Sequence, residues 1–339
     1  RRAEARSRGK RLGVGLANYV EGTGRGPYET VSVRIARDGR VKVNTGAAAM
    51  GQGVGTALAQ IVADHLGRAP ATIDLTLGDT REPYGFGGFN SRQTVVAGAS
   101  ADAAARIVRG KVLQVASHLL GLPGDALDIE ADRVIVRGSN SGQSLSLAEI
   151  ATASEGLPGY RLPGIETPGL QATERVLVEG MAFANGALAA EVEVDEATGA
   201  VRVARLFLAH DCGRMVNPQM VDGQIMGGLA HGLGNALYEK MSFDDEAQPL
   251  TGSLADYLLV SSAEMPVIEI AHSESLSPQN ALGVKGVGES GVIPTAAAIA
   301  SAVEHALEDL GVEIAEAPLT PQALHAAIRA AKAAKGDTT

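Results

Sequence analysis

Two stretches of the chain alternate apolar and polar residues on both sides of a glycine-containing turn. Residues 31–35 and 40–43 flank Asp38-Gly39, and a similar arrangement at 190–203 surrounds Thr198-Gly199. Alternation with a period of two buries one face of a strand, and a short glycine turn between two such strands is typical of a β-hairpin. The pattern therefore predicts two hairpins, one in each half of the chain.

Each predicted hairpin leads to a Gly-Gln loop and then to an apolar helix. The first half continues through Gln52 into a helix over 57–66, and the second through Gln224 into a helix that ends at Leu237. We therefore predict a weak internal repeat. Two similar lobes would place a ligand at their junction, which is a common location for binding sites.

The lobes can be given approximate bounds. A basic segment at 1–11 precedes a first lobe at 12–160, and a second lobe follows at 161–335. The tract at 155–169 is rich in Gly and Pro, so it is the predicted boundary.

The remaining segments indicate a mixed fold. We predict helices at 99–120, 147–153 and 321–334, a strand at 72–79, and an alanine-rich helix with Pro294 in its first turn. Strands arrive as hairpins rather than as regular strand–helix–strand units. The fold class is therefore α+β and not a doubly wound parallel sheet.

Composition and charge exclude several classes of function. The 339 residues carry a formal net charge of −10, which argues against a nucleic-acid partner because phosphate binding needs a basic face. No run of 18 apolar residues occurs, so we expect no membrane span. A single cysteine, Cys212, can neither form an intrachain disulfide nor hold an iron–sulfur cluster. No apolar segment follows the basic residues 1–11, so we expect no secretory signal and a cytoplasmic location.

The most distinctive polar segment is the glycine-rich loop, which we define as residues 283–291. It reads Gly-Val-Lys-Gly-Val-Gly-Glu-Ser-Gly, and its four glycines let the backbone approach a ligand closely. Neither the Walker loop nor the dinucleotide fingerprint fits, because Lys285 precedes Gly286 and the glycine spacing differs. Glu289 is the candidate catalytic group. The alternative is that Glu289 only complements the dipole of the helix that follows.

The glycine-rich loop resembles the Gly-x-Lys-Gly-x-Gly-Glu signature of the molybdenum hydroxylases, the family of xanthine dehydrogenase, aldehyde oxidoreductase and aerobic carbon monoxide dehydrogenase. Other segments agree with this resemblance. Residues 50–56 look like the family's Met-Gly-Gln-Gly loop, and residues 211–218 with 223–228 look like another family block. Residues 83–94 are similar to the loop that contacts the pterin in the carbon monoxide dehydrogenase branch.

The resemblance implies a fold, an activity and partners. The chain looks like the C-terminal half of a molybdopterin-binding large subunit, that is, its second cofactor-binding domain. Glu289 would be the base in an oxidative hydroxylation of an aldehyde or an N-heterocyclic carbon, with oxygen derived from water. The cofactor would be molybdopterin in its cytosine dinucleotide form, with molybdenum held by the pterin dithiolene and by no side chain. A companion chain or domain would carry the first cofactor domain, and an iron–sulfur subunit and an FAD subunit would take the electrons.

The resemblance also assigns cofactor-binding residues. Amides of Gln52 and Gln224 can donate and accept hydrogen bonds at once, Lys285 suits an anionic ligand, and hydroxyl groups suit a phosphate. The alternative to cofactor binding is that the glutamine and lysine side chains are solvated on the surface and that the hydroxyl groups are ordinary helix caps. The complete predicted set is Gly51, Gln52, Gly53, Val54, Ser91, Thr94, Gly98, Ser100, Cys212, Gln224, Lys285, Gly286, Val287 and Gly288.

Two alternative functions remain open. One is carbon monoxide oxidation, although residues 86–93 differ at several positions from the pattern associated with that branch. The other is a non-catalytic homologue that binds a cofactor or serves as a scaffold, against which the retained Glu289 argues. A nucleophilic role for Cys212 is disfavoured because Cys-His-Asp partners are normally distant in sequence. In the main interpretation the chain also binds a small-molecule substrate.

Overall fold

Three β-sheets and seven helices make up residues 1–138, 142–159 and 161–336, the part of the chain that the computed structural model describes. The fold is therefore α+β, as the sequence predicts. The strands are β1 (Lys10–Thr23), β2 (Val31–Ile35), β3 (Val41–Thr45), β4 (Ile73–Leu77), β5 (Leu127–Glu130), β6 (Arg133–Val136), β7 (Ser144–Ser146), β8 (Leu170–Glu174), β9 (Ala182–Asp195), β10 (Val201–Asp211) and β11 (Val267–Ser273). The helices are α1 (Arg2–Ser7), α2 (Val54–Leu66), α3 (Gln93–Leu120), α4 (Leu147–Ser154), α5 (Pro218–Leu237), α6 (Val292–Ala306) and α7 (Pro321–Ala334).

The first sheet has the strand order β1-β9-β10-β11. The pairs β1/β9 and β9/β10 are antiparallel, whereas β10/β11 is parallel. Odd-numbered residues of β1 face inward, where α6 packs on the strand. A Cβ atom on Gly15 would lie 2.2 Å from the carbonyl oxygen of Ala298, so glycine is needed for this close approach of strand and helix.

The second sheet has the order β4-β3-β2-β8, and α2 and α3 pack against it. The pairs β2/β3 and β2/β8 are antiparallel, whereas β3/β4 is parallel. A small antiparallel sheet, β5-β6-β7, extends the same core. Among the described residues, a large hydrophobic core lies under each of the larger sheets, and Val95, Val96, Val178 and Val284 form a third, small cluster.

Both predicted hairpins are confirmed, as β2/β3 and β9/β10. The sheets nevertheless exchange segments across the predicted lobe boundary. β1 pairs with β9, and β8 pairs with β2. The long strand β1 lies in the first half of the sequence but joins the sheet of the second half. Its small inward residues pack closely against α6 there. The division at residue 160 stays a prediction, and Tyr160 itself lies outside the described residues.

The predicted Gly-Gln loop in the second half is wrong, because Gln224 lies within α5. Pro218 occupies the first turn, and the side chain of Asn217 accepts the N–H of Met220 at 3.0 Å, so the helix begins before its glycines. Similarly, α2 begins at Val54 rather than at 57, and α3 begins at Gln93 rather than at 99. The helices predicted at 147–153 and 321–334 are confirmed as α4 and α7. Among the described residues, no helix combines the length and the apolar character that crossing a membrane requires.

Candidate active site

A cleft of about 300 Å³ lies between the two larger sheets with their helices. Its walls come from four stretches of chain: 50–57, 88–94, 212–224 and 284–289. A volume of this size is within the range of small-molecule sites. All four resembling segments of the sequence therefore meet in one place, although they are far apart along the chain.

The glycine-rich loop forms one wall of the cleft and is fixed by backbone hydrogen bonds. The N–H of Lys285 donates to the carbonyl oxygen of Cys212 at 2.8 Å, and the N–H of Gly286 donates to Oγ1 of Thr23 at 2.8 Å. A Cβ atom on Gly286 would lie 2.4 Å from Cβ of Ser91. Glycine at this position therefore lets the loop and the Ser91 segment come together.

Glu289 stands at the end of this loop, just before α6. Its carbonyl oxygen accepts the N–H groups of Val292 and Ile293, which links the residue to the start of the helix. Its side chain lines the cleft, and Oγ of Ser91 donates to its Oε2 at 2.5 Å. Hydrogen bonds from Glu21 and Ser91 outweigh partial burial and lower the pKa of Glu289. Glu289 is thus an ionised carboxylate at neutral pH, as a base must be.

Glu21, which the sequence did not single out, is the second carboxyl group at this place. It is an inward residue of β1 and is 9% exposed. Burial and the adjacent charge and hydrogen bond of Glu289 raise the pKa of Glu21 to about 8. Its inward position in an alternating strand was the only sequence feature that pointed to it. A glutamate is rarely buried on the apolar face of a strand unless it has a partner or a function.

The segment that carries Ser91 has an unusual backbone. Asn90 and Ser91 have φ of 51° and 47°, in the left-handed region that residues other than glycine seldom adopt. Strain of this kind persists where the surroundings hold the chain in place. Here the fully buried Arg92 pairs with the fully buried Glu29 and donates to the carbonyl oxygen of Tyr28 at 3.0 Å.

Lys285 lines the cleft and has two polar partners within the chain, while its predicted contact with an anionic cofactor stays a prediction. Its Nζ donates to Oδ2 of Asp211 at 2.9 Å and to Oγ of Ser275 at 2.8 Å, and its side chain is 8% exposed. Burial opposes the ionised form of Asp211, but hydrogen bonds from Ser275 and Lys285 lower its pKa to about 2. The lysine lines the cleft, but its ammonium group forms an ion pair with Asp211. This pairing stabilises the ionised, buried aspartate.

The two predicted glutamines have different surroundings. Gln52 accepts the N–H of Met50 at 2.6 Å and donates to Oε1 of Gln93 at 2.5 Å, so its amide braces the loop that leads into α2. Gln93 was missed by sequence reasoning. Gln224 lines the cleft from α5, and its side-chain amide makes no hydrogen bond among the described residues, so this amide is available to a ligand.

Of the predicted cofactor-binding residues, all but three line the cleft: Gln52, Gly53, Val54, Ser91, Thr94, Cys212, Gln224, Lys285, Gly286, Val287 and Gly288. Gly51 is an exposed neighbour of Gln52. Gly98 and Ser100 lie inside α3, where Gly98 packs near Leu282 and Oγ of Ser100 accepts the N–H of Val176. These two residues do not line the cleft, and their role in cofactor binding stays a prediction.

Cys212 is a buried wall of the cleft. Burial and the neighbouring charge of Asp211 raise the pKa of its thiol to about 11. A thiol in that state is a poor nucleophile, since the thiolate is the reactive form. This agrees with a lining role and disfavours covalent catalysis.

A family model and individual relatives assign the chain to the same protein family. Residues 1–266 match the model of the molybdopterin cofactor-binding domain. The chain is 40% identical over 319 residues to the 6-hydroxypseudooxynicotine dehydrogenase complex subunit gamma of Paenarthrobacter nicotinovorans, covering 94% of this chain and 40% of the relative. It is 35% identical over 326 residues to the carbon monoxide dehydrogenase large chain of Hydrogenophaga pseudoflava, covering 91% and 39%.

Solved structures agree with the sequence relatives. Quinoline 2-oxidoreductase from Pseudomonas putida 86 superposes with a TM-score of 0.86 at 39% identity, covering 97% of this chain and 43% of that one. Carbon monoxide dehydrogenase from Oligotropha carboxidovorans gives a TM-score of 0.88 at 29% identity, covering 98% and 42%. The chain therefore spans about two fifths of the length of the relatives it matches.

Proposed function

This chain belongs to the molybdopterin cofactor-binding domain family of the molybdenum hydroxylases, and from that premise we propose that it is the C-terminal part of a catalytic large subunit. The reaction is the oxidative hydroxylation of an electron-poor ring carbon in an N-heteroaromatic compound, with an aldehyde as the second substrate class. The observation that supports it is an ionised Glu289 in a glycine-lined cleft where the family's four segments meet.

The cleft has the features that a molybdopterin needs. Gly53, Gly286 and Gly288 line it without side chains, so a ligand can approach their backbone closely. Gln224 offers a free amide, and residues 284–288 offer backbone along one wall. We propose that these groups hold the cofactor, as its cytosine dinucleotide, together with Gly53 and Ser91. When bound, the cofactor supplies the redox-active molybdenum at which the substrate is oxidised.

The residues of this chain supply positioning and a base. Glu289 takes up the proton that must leave when water-derived oxygen attacks the substrate, and its lowered pKa keeps it ready for that step. Ser91 fixes the orientation of the carboxylate by donating to Oε2. Cys212 stays protonated and takes no covalent part.

Ring-shaped substrates are favoured by the aromatic residues near the cleft. Phe89 lines the cleft and is 47% exposed, and Tyr84 and Phe86, also exposed, meet edge to face with centroids 5.3 Å apart. Such faces can stack on a flat heteroaromatic ring. The names of two relatives, a quinoline 2-oxidoreductase and a nicotine 6-hydroxylase, refer to substrates of that kind.

The experiment that tests the proposal is the purification of the native complex that contains this chain, followed by analysis of molybdenum, iron and flavin. We expect molybdenum together with iron–sulfur and FAD cofactors on partner subunits, and turnover of N-heteroaromatic compounds when these are screened beside aldehydes and carbon monoxide. An intact complex that contains no molybdenum would refute the proposal and favour a scaffold role. Cell fractionation would test the cytoplasmic location that the sequence predicts.

The outer face of the first sheet carries exposed apolar residues, which favour a companion domain that covers them. Leu16, Ala189 and Phe207 form one row across β1, β9 and β10, and Leu16 and Phe207 are 63% and 45% exposed. Val20 and Phe183, on the same face, are also exposed. A sheet face with this much exposed apolar surface is normally covered. Because the relatives are more than twice as long, we propose that the rest of the large subunit, with its first cofactor domain, packs on this face.

Charged substitutions on this face are expected to disrupt the assembly. Leu16→Asp and Phe207→Asp, made separately in the complete complex, should each lower the yield of complex and its molybdenum content by about tenfold or more, because the loss of one buried apolar side chain costs about 1.5–3 kcal/mol. Ile107→Asp, which alters an exposed apolar residue of α3, is the control. Size-exclusion chromatography with cofactor analysis is the measurement. An unchanged complex in both variants, or self-association of this chain through the face, would contradict the proposed contact.

A further inference from the structure

Glu21 and Glu289 form a carboxyl pair beneath the glycine-rich loop. Thr23, on the same inward face of β1 as Glu21, accepts the N–H of Gly286 at 2.8 Å and so fixes the loop over the strand. Oγ of Ser91 lies 3.4 Å from Oε1 of Glu21 and donates to Oε2 of Glu289 at 2.5 Å. The two carboxyl groups, one from each side of Ser91, therefore belong to one hydrogen-bonded cluster.

In the part of the chain that the structure describes, no cation contributes to the pKa shifts of this pair. Desolvation, Ser91 and the partner carboxyl group account for the pKa shifts of both glutamates, and none of these causes is a positive charge. Among the described residues, Oε2 of Glu21 is buried and receives no hydrogen bond from a conventional donor. Two neighbouring carboxylates without a cation cannot both be ionised at low cost, so they share one proton. The more buried group, Glu21, is the one that retains it.

The other titratable groups around the pair ionise in a different range. Burial raises the pKa of Tyr19, also on β1, to about 12, and that of Cys212 to about 11. The pKa of Asp211 is lowered to about 2 against the effect of burial by its hydrogen bonds from Ser275 and Lys285. Burial and the nearby His272 lower the pKa of His210 to about 4. Lys285 is paired with Asp211 and does not reach the glutamates by an ion pair. A titration near pH 8 at this place is therefore that of the carboxyl pair, as it loses the proton that Glu21 retains.

We propose that Glu21 is a positioning residue that keeps one proton and donates it in a hydrogen bond to Glu289, so that Glu289 stays ionised and directed into the cleft. This inference rests on the proposed role of Glu289 as the base. Glu21 does not exchange its proton during turnover: Glu289 alone gains and then releases one. When Glu21 ionises, the two carboxylates repel each other and Glu289 loses its fixed orientation. Activity then falls with rising pH.

Two variants separate positioning from mere packing. Glu21→Gln keeps a hydrogen-bond donor of nearly the same shape but cannot ionise, whereas Glu21→Leu removes the donor. In the complete complex, with rates divided by molybdenum content, we expect Glu21→Gln to hold kcat within about threefold at neutral pH and to abolish the decline near pH 8. Glu21→Leu should lower kcat by about tenfold or more and move the acidic limb of the pH profile upward, because Glu289 loses a hydrogen bond that lowers its pKa.

A second measurement does not depend on the cofactor. Infrared difference spectra between about pH 6 and about pH 10 should show the carbonyl band of a protonated carboxylic acid disappearing, and this band should be absent in Glu21→Gln. Asp102→Asn, which changes a buried carboxylate outside the cleft, is the matched control and should leave both the band and the decline in place. A band or an alkaline decline that persists in Glu21→Gln would overturn the inference. Absence of molybdenum from the complex would instead refute the proposed function and leave the infrared result interpretable.

Discussion

Replacement of Glu289 by Gln is expected to lower kcat by about a thousandfold, because general-base catalysis contributes roughly 10² to 10⁴. Glutamine is nearly isosteric and can still accept the hydrogen bond from Ser91, so the cleft should keep its shape. Molybdenum content, KM for the heteroaromatic substrate and the unfolding temperature should stay close to those of the natural protein. Steady-state kinetics on the complete complex, normalised to molybdenum, are the measurement.

The matched control for this experiment is Glu274→Gln, which removes an exposed carboxylate that does not line the cleft. It should keep kcat. Glu289→Gln with more than about a tenth of normal turnover would exclude the base role and leave Glu289 as a residue that only complements the dipole of α6. A variant that loses molybdenum along with activity would show that the residue acts through cofactor retention.

Sequence patterns predicted the parts of this fold that depend on local periodicity. Both hairpins were found because alternation over a few residues, with glycine at the turn, determines their structure locally. The glycine-rich loop could be predicted as a ligand site because four glycines within nine residues are more than an ordinary turn requires. The helix ends were less accurate, since the start of α5 depends on Asn217 capping and on glycines that pack rather than break the helix. A Cβ atom on Gly228 would lie 2.9 Å from Cα of Gly291.

The site residues that escaped prediction depend on long-range contacts. Glu21 becomes significant only because β1 pairs with β9 and comes to lie under a loop more than 260 residues later in the chain. The ion pair between Lys285 and Asp211 was not predicted either, because it forms only when β10 brings Asp211 against the glycine-rich loop. A single sequence does not reveal such pairings, because they are set by sheet topology rather than by neighbouring residues.

The buried pair of Glu29 and Arg92 is expected to have the largest effect on stability. Both side chains are fully buried, and they build the segment that presents Ser91. Glu29 accepts the N–H groups of Phe86 and Gly87 at 3.0 and 3.1 Å, and Arg92 donates to the carbonyl oxygens of Arg25, Tyr28 and Gly87. Removal of one partner leaves an uncompensated buried charge, so Arg92→Met and Glu29→Gln should each cost about 3–5 kcal/mol in free energy of unfolding.

The double variant Glu29→Met/Arg92→Met should cost less than the sum of the single variants, because no charge is left alone. It should not recover full stability, since backbone groups of the Ser91 segment lose their partners. Urea denaturation of the complex, with limited proteolysis across residues 84–92, would measure both effects. Arg40→Met, which removes an exposed ion pair with Asp38 between β2 and β3, should cost under about 1 kcal/mol. If a single variant at Glu29 or Arg92 were as mild as this control, the pair would not be what holds Ser91 in its left-handed conformation, and the orientation of Glu289 would need another source.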